Sequence, residues 1–175
     1  MLRLNRSVQD AIVTHARRDH PDEACGVVAG PLGSDQPVRF IAMDNAERSP
    51  TFYRFDSQEQ LRVWREMDDR DEEPVIIYHS HTATEAYPSR TDIGYASEPG
   101  AHYVLVSTRE PEQTEFRSYR IVEGVVTEEP VEVFDPSVGG SGTADEVAAD
   151  GPDAVQSYKF GHTPTSLVYD CPAED

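Results

Sequence analysis

Hydrophobic and polar positions change period several times along the chain, and each change marks an element. From Ser7 to Asp19 apolar side chains return every three to four residues. Val8, Ala11, Ile12, His15 and Ala16 share one face, which predicts an amphipathic helix. Ser7 and Asp10 suit a capping box at its start, and Pro21 follows its end. Gly26-Val27-Val28-Ala29-Gly30 reads as a short apolar strand between glycines, with Val38 to Met43 as its partner across a Pro/Gly/Asp loop. Phe52 to Phe55 suggests a further short strand. A second helix is predicted over Ser57 to Met67, capped by Ser57 with Gln60 and burying Leu61, Trp64 and Met67.

Val75-Ile76-Ile77-Tyr78 then runs without polar interruption into His79-Ser80-His81, the pattern of a central strand covered on both faces. Ser89 to about Ser97 reads as a third helix with Ile93 and Ala96 inward. His102 to Ser107, Glu115 to Val122 and Val125 to Phe134 form an antiparallel run, the last two joined at a Glu123-Gly124 hairpin signal. Helices alternate with strands early and strands cluster late. That order predicts an α/β (α+β) fold, a mixed central β-sheet flanked by helices.

From Pro136 the character changes. Residues 136–175 are small, polar and patternless, with seven acids against a single lysine. The expectation is one domain over 1–135 and a flexible acidic tail over 136–175. The more apolar stretch from Tyr158 to Tyr169 suits docking on the body or on a partner equally well.

Composition narrows the function classes. With 33 acids, 15 bases and a formal charge of −18, the chain lacks the basic footprint of nucleic-acid binding. No run nears the roughly 18 apolar residues of a membrane span, and the N-terminus has no apolar signal region. Cys25 and Cys171 lie far apart without ligand or disulfide spacing, which fits free thiols in a reducing cytoplasm. Length and 37% hydrophobic content suffice for one core.

The chemistry concentrates between His79 and Asp92. Residues i and i+2 of a strand point to one side, so His79 and His81 present two imidazoles to one point. Asp92 can add a carboxylate from the first turn of the next helix. Two nitrogens and one carboxylate leave a tetrahedral zinc with an open position for water, the donor set of a hydrolytic metal site. Bland alternatives exist for each residue. An H-x-H pair can be packing, Asp92 can be a helix-dipole charge, Ser89 can be an N-cap, and Glu23 can be a solvated acid. Cys25 has no His/Asn context and reads as a small buried residue rather than a nucleophile. Glu85, Tyr87 and Arg90 share the loop, either against a substrate or simply exposed.

His79-x-His81, seven residues, Ser89, two residues, Asp92, with Glu23 early in Pro21-Asp22-Glu23-Ala24-Cys25-Gly26, resembles the signature of the JAMM (MPN-plus) metallopeptidases. The segment Asn45 … Pro50-Thr51-Phe52-Tyr53-Arg54-Phe55-Asp56 is similar to the connecting segment of bacterial members. The resemblance covers roughly residues 1–135. Rival metal motifs fit less well: a cupin wants flanking glycines where Glu73 and Asp92 stand, and a metallo-β-lactamase-like site wants H-x-H-x-D-H where Thr82-Ala83-Thr84 follows.

The resemblance implies a JAMM/MPN-like fold and one zinc ion per chain, held by His79, His81 and Asp92. It implies Glu23 as general base and Ser89 as hydrogen-bond donor to the bound water or to the oxyanion. Only Ile93 to Gly100 separates the metal segment from the next strand, leaving little room for the insertions of family members that cut ubiquitin chains. Compact bacterial members, resembled through His15 to Gly26 and the metal loop, hydrolyse the bond after the terminal Gly-Gly of a small ubiquitin-like sulfur carrier protein and release an added cysteine. The same activity, a step of cysteine biosynthesis in the cytoplasm, is the expectation here. Broader deconjugation of ubiquitin-like proteins is the alternative, and a metal-binding module without turnover is the alternative from a different class. The sequence leaves the oligomeric state and the carrier's identity open.

Overall fold

The structure, a computed structural model, describes residues 1–135; the expected tail over 136–175, with Cys171, lies outside them. The described chain runs β1 (Leu2–Asn5), α1 (Arg6–Asp19), β2 (Cys25–Pro31), β3 (Arg39–Met43), α2 (Ser57–Asp69) and β4 (Glu72–His81). It continues through α3 (Arg90–Tyr95), β5 (His102–Ser107), β6 (Glu115–Val122), β7 (Val125–Glu129) and β8 (Val131–Phe134).

Six strands form one mixed sheet in the order β3-β2-β4-β5-β6-β7. Only β4 and β5 pair in parallel within it, through the connection that carries α3; the other neighbours are antiparallel. The apolar run of β4 is central and covered on both faces. Ile76 and Tyr78 face Val8, Ile12 and Ala16 of α1 in one cluster. Ile77 faces Val63 and Met67 of α2 in the other. Alternation along β4 therefore carries His79 and His81 on the α2 side and Ser80 on the α1 side. Gly26 permits the close approach of Tyr78, since a Cβ there would stand 2.5 Å from Oη and also meet the Ile41 carbonyl.

Several local expectations need correction. The α1 cap is Asn5, whose side chain accepts from the Ser7 amide at 2.9 Å, so Ser7 lies inside the helix. Asp56 caps α2 in place of Ser57, because its carboxylate reaches both the Gln58 and Glu59 amides. That register buries Val63 and Met67, leaves Trp64 half-buried and turns Leu61 to solvent. Phe52 to Phe55 forms no strand, only an isolated bridge between Asn45 and Phe55. The strand expected from Val75 begins at Glu72 and includes Pro74, tolerated beside a register shift at Val28/Ala29. Val125 to Phe134 is broken at Pro130, and β8 leaves the main sheet to pair in parallel with β1, an element the sequence patterning missed.

Candidate metal centre

The C-terminal end of β4 delivers two imidazoles to one point. His79 Nε2 and His81 Nε2 stand 3.2 Å apart, and Asp92 Oδ2 lies 3.3 Å from the first and 3.4 Å from the second. These near-equal separations match the edges of a tetrahedron, about 3.3–3.4 Å for the 2.0–2.1 Å bonds that zinc forms with nitrogen and carboxylate oxygen. His79 and His81 are buried and Asp92 is mostly covered. Two imidazole nitrogens and one carboxylate oxygen converging in a largely buried site can offer two lone pairs and a negative charge to one point, so the donor set fits a divalent metal.

Asp92 reaches this point through a capping box. Ser89 Oγ accepts from the Asp92 amide at 3.1 Å, and the Ser89 amide donates to Asp92 Oδ2 at 2.7 Å. Burial works against the Asp92 charge, but the polar neighbours His79, His81 and Ser89 outweigh it and hold the carboxyl well below its ordinary range. Burial lowers the His79 pKa and keeps that ring neutral, as a ligand must be. Burial opposes charge on His81 too, but Asp92, the Glu85 carbonyl and Glu23 together raise its pKa.

Both rings are held from behind. His81 Nδ1 donates to the Glu85 carbonyl at 2.9 Å and lies 3.1 Å from Thr84 Oγ1, which leaves the Nε2 lone pair for the centre. Ser107 Oγ donates to the Thr84 carbonyl at 2.6 Å. His79 carries the Tyr53 ring stacked on it, centroids 4.4 Å apart and planes 24° apart.

Glu23 enters from the turn before β2, where Cys25 lies directly opposite His79 in the ladder. It is 5% exposed, and its carboxyl is pushed up to about 7, chiefly by burial and further by the Asp92 charge, with His81 opposing. A carboxyl poised near neutrality beside a metal-ligand set suits proton transfer.

The structure thus brings Glu23, His79, His81, Ser89 and Asp92 to one region at the end of β4. Ser89 is solvent-exposed and serves as the α3 N-cap, which leaves its own hydroxyl hydrogen available. Cys25 is buried, 3.7 Å from the Met43 carbonyl, and burial pushes its thiol up, away from nucleophilic use. The Glu85, Tyr87 and Arg90 side chains are exposed; the ordered contribution of Glu85 is its carbonyl. Sequence patterning gave no individual role to Asn45, Tyr53, Ser80 or Thr84. Ser80 carried a signal, a hydroxyl aimed into an apolar face between two histidines; the others had none apart from the motif segments around them.

The profile of the family described as prokaryotic homologs of the JAB domain matches residues 5–122. The chain is 70% identical over 135 residues to the CysO-cysteine peptidase of Mycobacterium tuberculosis (strain ATCC 25618 / H37Rv), a match spanning 77% of this chain and 92% of that protein. It is 32% identical over 111 residues to the desampylase of Haloferax volcanii, spanning 61% of this chain and 80% of that protein. Among solved structures, protein DSY2949 from Desulfitobacterium hafniense superposes with a TM-score of 0.68 at 30% identity, covering 78% of this chain and 94% of its own.

Proposed function

The chain belongs to the family of prokaryotic JAB-domain homologs, and from that membership we propose a zinc-dependent peptidase that cuts after the C-terminal Gly-Gly of a ubiquitin-like sulfur carrier protein and releases cysteine. The observation that carries the chemistry is the His79–His81–Asp92 cluster, with separations of 3.2–3.4 Å and Glu23 buried beside it. The name of the 70%-identical mycobacterial peptidase supports the carrier and the cysteine. The setting is the cytoplasm; among the described residues no helix is long and apolar enough to cross a membrane.

His79, His81 and Asp92 would hold one zinc ion per chain, and the ion would supply Lewis acidity at the scissile carbonyl and to water. Glu23 takes the proton of the attacking water and returns it to the departing cysteine amine. The Ser89 hydroxyl donates to the oxygen that gains charge as the carbonyl carbon becomes tetrahedral. Buried walls around Glu23 and His79 strengthen each of these interactions. The diglycine matters because a chain without Cβ atoms can approach the centre closely.

Incubation of the zinc-loaded protein with a carrier ending Gly-Gly-Cys tests the reading: the expected product is the carrier shortened by one cysteine, seen by mass. An intact carrier with metal in place overturns it. The similarity to a desampylase favours a second reading, removal of ubiquitin-like proteins from other amines. A carrier conjugated to a lysine side chain separates the two, since the primary reading expects the cysteine adduct to react far faster. The residues over 1–135 form the peptidase domain in this proposal.

A further inference from the structure

Glu23 and Ala24 lie outside the sheet ladders, yet both are buried and the amide and carbonyl of each are engaged. The Glu23 amide donates to the Ser49 carbonyl at 2.9 Å, and the Glu23 carbonyl accepts from Asn45 Nδ2 at 3.0 Å. The next residue, Ala24, exchanges two hydrogen bonds with Ser80: Ser80 N to the Ala24 carbonyl and the Ala24 amide to Ser80 Oγ, each 2.9 Å.

Asn45 uses its whole amide. Nδ2 donates to Glu23 and also to the Phe52 carbonyl at 3.1 Å, while Oδ1 accepts the Glu47 amide at 3.0 Å and the Arg54 amide at 3.2 Å. One side chain thereby joins Glu23 to the loop that lays Tyr53 on His79. No carboxylate can replace it, because two of the four bonds need hydrogens on the side chain. Ser80 is fully buried and points to the α1 side, away from the metal ligands on either side of it. A buried hydroxyl is costly unless used, and the use here is the peptide that follows Glu23.

We propose that Asn45 and Ser80 are positioning residues for Glu23, clamping the peptide unit that follows it, Asn45 Nδ2 at its carbonyl and Ser80 Oγ at its amide, so that a flexible three-torsion side chain presents its carboxylate to the metal centre in one place. The inference rests on Glu23 acting as the base. Displacement of a reacting group by about 1 Å can cost about 100-fold in rate without touching metal or substrate.

The test compares Glu23→Gln, Asn45→Asp, Ser80→Ala and Ser80→Thr in the full zinc-loaded chain, with a carrier ending Gly-Gly-Cys. Zinc content, melting temperature, kcat and KM are measured for each. Asn45→Asp keeps both acceptor bonds and loses both donor bonds. Ser80→Ala loses the hydroxyl that Ser80→Thr restores. The expected result is a kcat lower by roughly 10- to 100-fold in Asn45→Asp and Ser80→Ala, with KM and zinc content unchanged, and recovery of most of the kcat in Ser80→Thr relative to Ser80→Ala. Unchanged kcat in Asn45→Asp and Ser80→Ala beside an inactive Glu23→Gln overturns the clamp and spares the base. A kcat that falls only in step with lost zinc or lost folded protein also overturns it. If Asn45→Asp does not fold, the Ser80 pair decides alone. An active Glu23→Gln removes the base itself, and the clamp with it.

Discussion

Tyr53 lies almost flat on His79, with ring centroids 4.4 Å apart and 24° between planes. The face of a proposed ligand imidazole is thereby closed by a residue 26 positions earlier in the chain. The stack limits rotation of His79 about its side-chain bonds and keeps Nε2 aimed at His81 and Asp92. Tyr53→Ala should therefore weaken zinc binding by about tenfold, the scale on which supports of ligands act, whereas Tyr53→Phe should keep it. Competition against a chelator reads this directly, and equal affinity in both variants would show that the ring does not orient the ligand.

Glu23 makes the metal-free protein sensitive to pH. Its carboxyl titrates near 7 when folded against about 4.5 when free, so between those values the folded state holds a proton that the unfolded state has lost. Stability then falls as pH rises through this window, and the group has no effect below it, where both states are protonated. Glu23→Gln should stabilise the metal-free protein by roughly 1–3 kcal/mol at pH 8 and leave it unchanged at pH 4. Denaturant unfolding at the two pH values measures the difference; an equal effect at both would contradict burial of an ionising carboxyl.

Ser89 carries two separable roles. Its Oγ caps α3 through the Asp92 amide, and its hydroxyl hydrogen is the proposed donor to the oxyanion. Glycine is nearly as good an N-cap, within a few tenths of a kcal/mol, but it donates nothing from a side chain. Ser89→Gly should leave the melting temperature almost unchanged and lower kcat by about 100-fold. Full activity in that variant would reduce Ser89 to a cap.

Gly26 should not tolerate a methyl group. A Cβ there meets the Ile41 carbonyl, which is backbone of the neighbouring strand, as well as Tyr78 Oη at 2.5 Å. Tyr78 is itself held, with His15 Nδ1 2.7 Å from its hydroxyl. Neither neighbour moves cheaply, so Gly26→Ala should destabilise by about 1–3 kcal/mol, seen as a lower denaturant midpoint. Because Cys25, the adjacent residue, faces His79, zinc affinity should fall as well.

The convergence of His79, His81 and Asp92 is legible in the sequence because their placement depends on local periodicity alone: two residues on one strand face, and a third in the first turn of the following helix. Glu23 lies more than fifty residues earlier, and only family resemblance tied it to them. Its supports depend on register and loop path. Ser80 meets Ala24 because Cys25 pairs with His79, and no window of sequence contains that pairing. The strand β1 has no sequence signal for the same reason: four residues with two buried leucines mean little without Val131 and Val133 beside them. The α2 cap was misplaced by one residue because Asp56 and Ser57 are both good N-caps, and only the loop's approach selects Asp56.

The parallel pairing of β1 with β8 has a consequence in time. Leu2 pairs with Val131 and Asn5 with Phe134, so the opening strand of the domain waits for its last to be synthesised. Leu2 and Leu4, fully buried beside α1 in the finished molecule, stay uncovered while the chain grows. Ribosome-bound intermediates shorter than about 130 residues should therefore leave β1 without its strand partner even where α1 already packs on β4, and closure of the β1–β8 pair should come late. Birth of the enzyme would then be a single final event, with no active shorter nascent form.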